Sequence, residues 1–257
     1  MTPGSADVPV GKKRPQADED VGAPRDGASR DGASRGWYSR GYLPHLNAPQ
    51  TIQSITYRLA DSLPQENLKC LKDELVHLGD DQREAERRKR IEAWLDAGMG
   101  CCALANPVVA RYVQNAFLHF HDERYHLHAW CIMPNHVHVL IEPLIDLATI
   151  VQAWKSFTAR WIIQRNKELD LKIPSPDQFW MREYWDRYIR DSEHYRKAVD
   201  YIHQNPVQAG LCHTAEAWPW SSAFPGNADV LVGKKLTLPT GTSAPPGVFP
   251  SKDEIDV

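Results

Sequence analysis

The sequence predicts an α+β protein: a small antiparallel sheet of the ferredoxin-like, split-βαβ kind with packed helices, between disordered N- and C-terminal tails. Three observations carry this expectation. Strand-like and helix-like periods follow one another in the order strand, helices, hairpin, helix, strand, helix. The hairpin is marked by an apolar run at 125–133, a Pro134-Asn135 turn and a second run at 136–142. Both ends of the chain are rich in small, charged or proline residues and bury too little to offset ordering entropy. The expected division is a tail over 1–35, a folded domain over 36–225 and a tail over 226–257.

Each element has its own signal. Residues 52–59 alternate and predict a strand. Leu68, Leu71, Leu75 and Leu78 recur at helical spacing, and a charged helix over 83–97 carries Ile91, Trp94 and Leu95 on one side. Asn106-Pro107 is an N-cap followed by a first-turn proline, and the helix it opens has Val109, Tyr112, Val113, Ala116, Phe117 and Phe120 on one stripe. Asp146 can cap a long helix with Ile150, Val151, Trp154, Phe157, Trp161 and Ile162 inward. The aromatic-rich stretch 179–189 reads as a strand. Ser192 can cap a last helix that Pro206 should stop near Gln204. Both hairpin strands are expected at the centre of the sheet, with its second face open.

Composition narrows the class. The chain has 257 residues, 42% of them hydrophobic, and a formal net charge of −3, so no global basic signature of a nucleic-acid binder is present. Five cysteines, an odd number without CxxC spacing, argue against a disulfide framework and for a reducing, cytoplasmic setting. No apolar run reaches the roughly 18 residues that span a bilayer, so no membrane partner is expected.

The chemistry gathers in two places. On a strand, His136 and His138 point to one side, and Val137, Val139 and Ile141 to the other. Paired imidazoles are a start for a divalent metal site. His126 and His128 on the preceding strand have the same spacing, so spacing alone does not choose between the pairs. On the last helix Tyr201 and Asn205 lie about 40° apart on the wheel, one turn from each other. If that helix packs beside the sheet, Asn205 could be a third ligand with Tyr201 next to the metal. Tyr188 and Tyr195 compete as nucleophiles, but neither has an amide four residues on. The stretch Trp180, Arg182, Tyr184, Trp185, Arg187, Tyr188 and Arg190 could stack bases and contact phosphates, or equally be a buried edge strand with solvated charges, and Lys155, Arg160 and Lys197 are further candidates for backbone contact.

Two motifs carry a resemblance. Met133-Pro134-Asn135-His136-Val137-His138 resembles the histidine–hydrophobe–histidine motif of the HUH single-strand transposases. Tyr201-Ile202-His203-Gln204-Asn205-Pro206-Val207-Gln208-Ala209-Gly210 is similar to the tyrosine helix of their REP-associated tyrosine transposases. Arg40-Gly41-Tyr42-Leu43-Pro44-His45 and Trp218-Pro219-Trp220-Ser221-Ser222 also look like that subgroup, so the similarity spans about 36–225. It implies a metal-dependent nickase and transferase that cuts and rejoins single-stranded DNA beside hairpins or palindromic repeats, through a 5′-phosphotyrosine. By motif position His136, His138 and Asn205 would hold Mg²⁺ or Mn²⁺, and Tyr201 would be the nucleophile. Many relatives carry Gln where Asn205 stands. Some exchange tyrosine helices between two subunits, so a homodimer is among the arrangements implied. The other readings are a non-catalytic hairpin-binding protein on the same fold and a metal-dependent phosphodiester hydrolase that uses water. The sequence assigns no role to the helices over 80–120.

Overall fold

The computed structural model describes residues 50–228, together with the backbone of two short antiparallel strands, β1 (Gly36–Ser39) and β2 (Pro44–Asn47). The tails expected over 1–35 and past 228 lie outside the described residues. Four further strands, β3 (Gln53–Arg58), β4 (Tyr125–Ile132), β5 (His136–Pro143) and β6 (Trp185–Tyr188), form one sheet in the order β4-β5-β3-β6. Every neighbouring pair is antiparallel. β5 separates β3 from β4, and β3 separates β5 from β6, which is the interleaved pair of βαβ units the sequence predicts.

The expectation that both hairpin strands are central needs correction. Only β5 is; the crossover brings β3 against its other side and leaves β4 at the edge. That edge is covered rather than bare. Ile132 N donates to Trp220 O (2.9 Å), Ser222 N to Trp130 O (3.0 Å), and Trp130 N to the Ser222 hydroxyl (3.0 Å). The strand-like stretch 179–189 contracts to β6, because Phe179, Trp180 and Tyr184 turn into the core instead of alternating.

The helices are α1 (Gln65–Glu74), α2 (Asp80–Asp96), α3 (Pro107–His119), α4 (Leu147–Gln164), α5 (Ser192–Gln208) and α6 (Pro225–Ala228). Asn106 accepts from Val108 N and Asp146 from Thr149 N, both at 2.9 Å, as caps should. For α5 the cap is Asp191, which accepts from His194 N (2.8 Å), and not the adjacent Ser192. Pro206 does not stop α5. Its missing N–H costs one bond, while Ala209 N still reaches Asn205 O (3.0 Å) and Leu211 N reaches Pro206 O (2.8 Å).

One face of the sheet meets α3 and α4. Val137, Val139 and Ile141 pack there with Val113, Phe117, Val151 and Trp154. The Tyr125 hydroxyl inside this core donates to Phe117 O (2.8 Å) and accepts from Trp154 Nε1 (3.0 Å), so a buried phenol and indole satisfy each other. Phe157 and Trp161 are only partly covered and stack on Tyr112, at centroid distances of 5.1 and 4.1 Å. The second face is not open. Ala129, Cys131, Met133 and Leu140 pack there against Ile202 of α5. A satellite cluster of Leu63, Leu71, Leu75, Ile91 and Leu95 joins α1 to α2 and meets Trp185 of β6. Residues 226–228, expected in the tail, are anchored: Gln114 Nε2 donates to Asn227 Oδ1 (3.0 Å). No helix among the described residues is long and apolar enough to cross a membrane.

Candidate active site

β5 alternates as its sequence dictates, so His136 and His138 share the face that α5 covers. They are only 1% and 2% exposed. Their Nε2 atoms stand 3.0 Å apart, with the rings nearly perpendicular at 89°. Each remote nitrogen is held: His136 Nδ1 lies 2.8 Å from Asn135 Oδ1, and His138 Nδ1 lies 2.9 Å from the Thr56 hydroxyl. Burial, and for His136 the neighbouring His138 as well, keeps both rings neutral. His136 is held well below the usual imidazole range and His138 falls to about 4.

α5 brings the second half of the site from the same chain. The Tyr201 ring packs edge-on to His138, with centroids 5.4 Å apart. Asn205, one turn on, is 2% exposed. Its amide oxygen is buried without a well-formed hydrogen bond, yet lies close enough to both imidazoles to favour their charged forms. A buried oxygen without a well-formed hydrogen bond, beside two convergent neutral Nε2 atoms, is a donor set that fits a hard-to-borderline divalent cation. Among the described residues no group of three His, Cys, Asp or Glu side chains offers an alternative.

The site opens into a cleft of about 890 Å³ between β3, α2, the 185–191 segment and α5. α2 contributes what the sequence reading did not assign. Glu92 and Asp96 line the cleft, and Glu92 faces the Tyr201 hydroxyl. Burial raises the Tyr201 phenol, and these two carboxylates raise it further. Burial also raises Glu92, and takes Asp96 to about 6 with help from Glu92. Their i, i+4 spacing next to Ile91 and Leu95 was visible in the chain, but the surface that α2 packs on was not.

The proposed backbone contacts divide. Arg187, Arg190 and Lys197 line the cleft, with Arg88 and His194 beside them. Arg182 and Arg160 are exposed elsewhere. Lys155 cannot serve as a surface contact. Its ammonium donates to the carbonyls of Met181, Arg182 and Glu183 (3.0, 3.1 and 3.4 Å), and burial lowers its pKa to about 8. Trp180 and Tyr184 are core residues and cannot stack on bases, whereas Trp185 lines the cleft. The rival histidines have other partners: His126 Nδ1 lies 2.9 Å from Asp122 Oδ1, and His128 Nδ1, at the strand irregularity between Leu127 and Ala129, lies 3.3 Å from the Tyr195 hydroxyl. Tyr188 is 40% exposed on β6.

Residues 105–205 match the family model described as "Transposase IS200 like". This segment holds both histidines, Tyr201 and Asn205. The chain is similar, in particular, to the REP-associated tyrosine transposase of Escherichia coli (strain K12), with 28% identity over 101 residues. That match covers 39% of this chain and 56% of the relative, so just over half of the relative's length is spanned. The matched segment thus covers part of the site, while Thr56, Glu92 and Asp96 lie outside it. A solved structure described as "Structure of the REP associates tyrosine transposase bound to a REP hairpin" aligns over 80% of this chain and 95% of its own, at 19% identity and a TM-score of 0.38.

Proposed function

We propose that this protein is a metal-dependent tyrosine nickase and transferase that cuts single-stranded DNA beside hairpins of the REP type. One observation carries the reading: the phenol of Tyr201 packs on His138 while the buried amide of Asn205, whose oxygen makes no well-formed hydrogen bond, reaches the same imidazole pair. The curated relative, a REP-associated tyrosine transposase, supports the choice of substrate class.

A Mg²⁺ or Mn²⁺ ion held by His136, His138 and Asn205 would neutralise and polarise a phosphodiester oxygen. Everything else falls to the chain. The cleft admits a strand past Arg187, Arg190 and Lys197, whose charges offset the phosphates. The Tyr201 oxygen attacks phosphorus and its proton passes to Glu92, the carboxylate that faces it. The P–O(Tyr) bond forms and the P–O3′ bond breaks. The leaving 3′-oxygen takes a proton from water, and the 5′ end stays on the tyrosine, so the bond energy is kept for rejoining.

The test is incubation of the full chain with a 5′- and 3′-labelled hairpin oligonucleotide and Mn²⁺. A denaturant-stable adduct is expected from the parent protein and none from Tyr201→Phe, with hairpin affinity nearly unchanged. Cleavage retained in that variant would defeat the proposal and favour a water nucleophile. Binding without cleavage by the parent would favour a hairpin-binding protein without turnover. That second reading draws on the raised phenol and the two carboxylates beside it.

A further inference from the structure

The hydrogen bonds behind the imidazoles decide which nitrogen of each ring carries its proton. Asn135 is fully buried, and its Nδ2 donates to the Met99 carbonyl at 3.0 Å. A carbonyl only accepts, so the amide orientation is fixed and Oδ1 faces His136 Nδ1 at 2.8 Å. An amide oxygen also only accepts. His136 must therefore carry its proton on Nδ1, which leaves Nε2 with a bare lone pair.

His138 is constrained differently. Its Nε2 lies 3.0 Å from His136 Nε2, and two bare lone pairs would repel at that distance. A proton on His138 Nε2 turns the contact into a hydrogen bond, and His138 Nδ1 then accepts from the Thr56 hydroxyl at 2.9 Å. A hydroxyl, unlike an amide oxygen, can reverse. If Thr56 accepts instead, the proton sits on Nδ1 and both Nε2 atoms are bare, as joint ligation of one cation requires.

We propose that Asn135 and Thr56 are positioning residues with unequal tasks. Asn135, clamped by Met99, locks His136 in the ligating tautomer. Thr56 lets His138 exchange between tautomers, so cation entry moves one proton from Nε2 to Nδ1 of a single ring and releases none to solvent. The tautomer assignment rests on geometry alone; its purpose rests on the metal reading above.

Nitrogen-15 NMR of the chelator-treated full chain, with the histidines labelled, separates the two. His136 is expected to be protonated on Nδ1 and His138 on Nε2. Mg²⁺ is expected to move the His138 proton to Nδ1 and leave His136 unchanged. Thr56→Val is expected to weaken Mn²⁺ binding in calorimetry by roughly 10- to 100-fold, and Thr56→Ser to restore most of it. Asn135→Asp keeps the acceptor and should keep the His136 tautomer. Asn135→Ala should let the His136 proton distribute over both nitrogens; should it misfold, the Thr56 pair and the parent spectrum still decide. A proton on His136 Nε2 in the chelated protein, or parental Mn²⁺ affinity in Thr56→Val, would overturn the proposal. A parent protein with the expected tautomers but no Mn²⁺ binding would support the lock and overturn the metal reading alone.

Discussion

At the residue scale, the two imidazoles link the site to the pH dependence of folding. His138 titrates near 4 in the fold against an ordinary value of 6.5. Between those values the unfolded chain takes up a proton that the folded chain refuses, so stability falls as pH falls. The contribution is fully present above about 6.5 and gone below about 4, a difference of about 3 kcal/mol for this residue. Urea titrations across that window should show the decline, and His138→Gln should flatten it; an unchanged slope would contradict the burial argument. The pairing of His136 with His138, and of Tyr201 with Asn205, was legible because a strand's two-residue period and a helix's four-residue turn put each pair on one side. Choosing His136 and His138 over His126 and His128 was not possible from spacing. What sets the rival pair aside is its partners, Asp122 for His126 and the Tyr195 hydroxyl for His128, and those are tertiary contacts that spacing does not encode.

Among the elements, α2 shows where sequence reading stopped. Its amphipathic pattern announced a helix, but its partners are Leu63, Leu71 and Leu75 on one side and the cleft on the other, all distant or across a turn. Only that packing turns Glu92 from a solvated charge into a neighbour of Tyr201. Glu92→Gln should have two effects of opposite sense. The Tyr201 phenol, relieved of a negative neighbour, should titrate at lower pH in ultraviolet difference spectra referenced to Tyr201→Phe. Adduct formation should nevertheless slow by about 10²-fold or more, because the proton acceptor is gone. An unchanged rate would remove Glu92 from the chemistry. α5 was misjudged at both ends for a simpler reason: Asp191 and Ser192 are both good caps, and a proline in a last turn loses only one bond.

At the scale of the whole molecule, element order and hairpin were enough to predict the interleaved sheet, because parallel partners need crossovers and the hairpin needs none. The covered β4 edge was not foreseen. It depends on Trp218–Ser222, which fold back 86 to 92 residues along the chain onto Trp130 and Ile132. A chain ending at residue 217 should expose those backbone groups and self-associate, seen as higher mass in size-exclusion light scattering. A monodisperse product would show that the segment is ornamental.

The strand that bears the imidazoles is hydrogen-bonded along both sides, between β3 and β4, whereas the tyrosine rides on a helix packed chiefly through Ile202. Amide protons of β5 can therefore exchange only when the sheet as a whole opens, while those of α5 can exchange through smaller excursions. The imidazoles thus stand on the best-protected element of the molecule and the phenol on one held along a single face, so the two halves of the site should differ in their exchange rates.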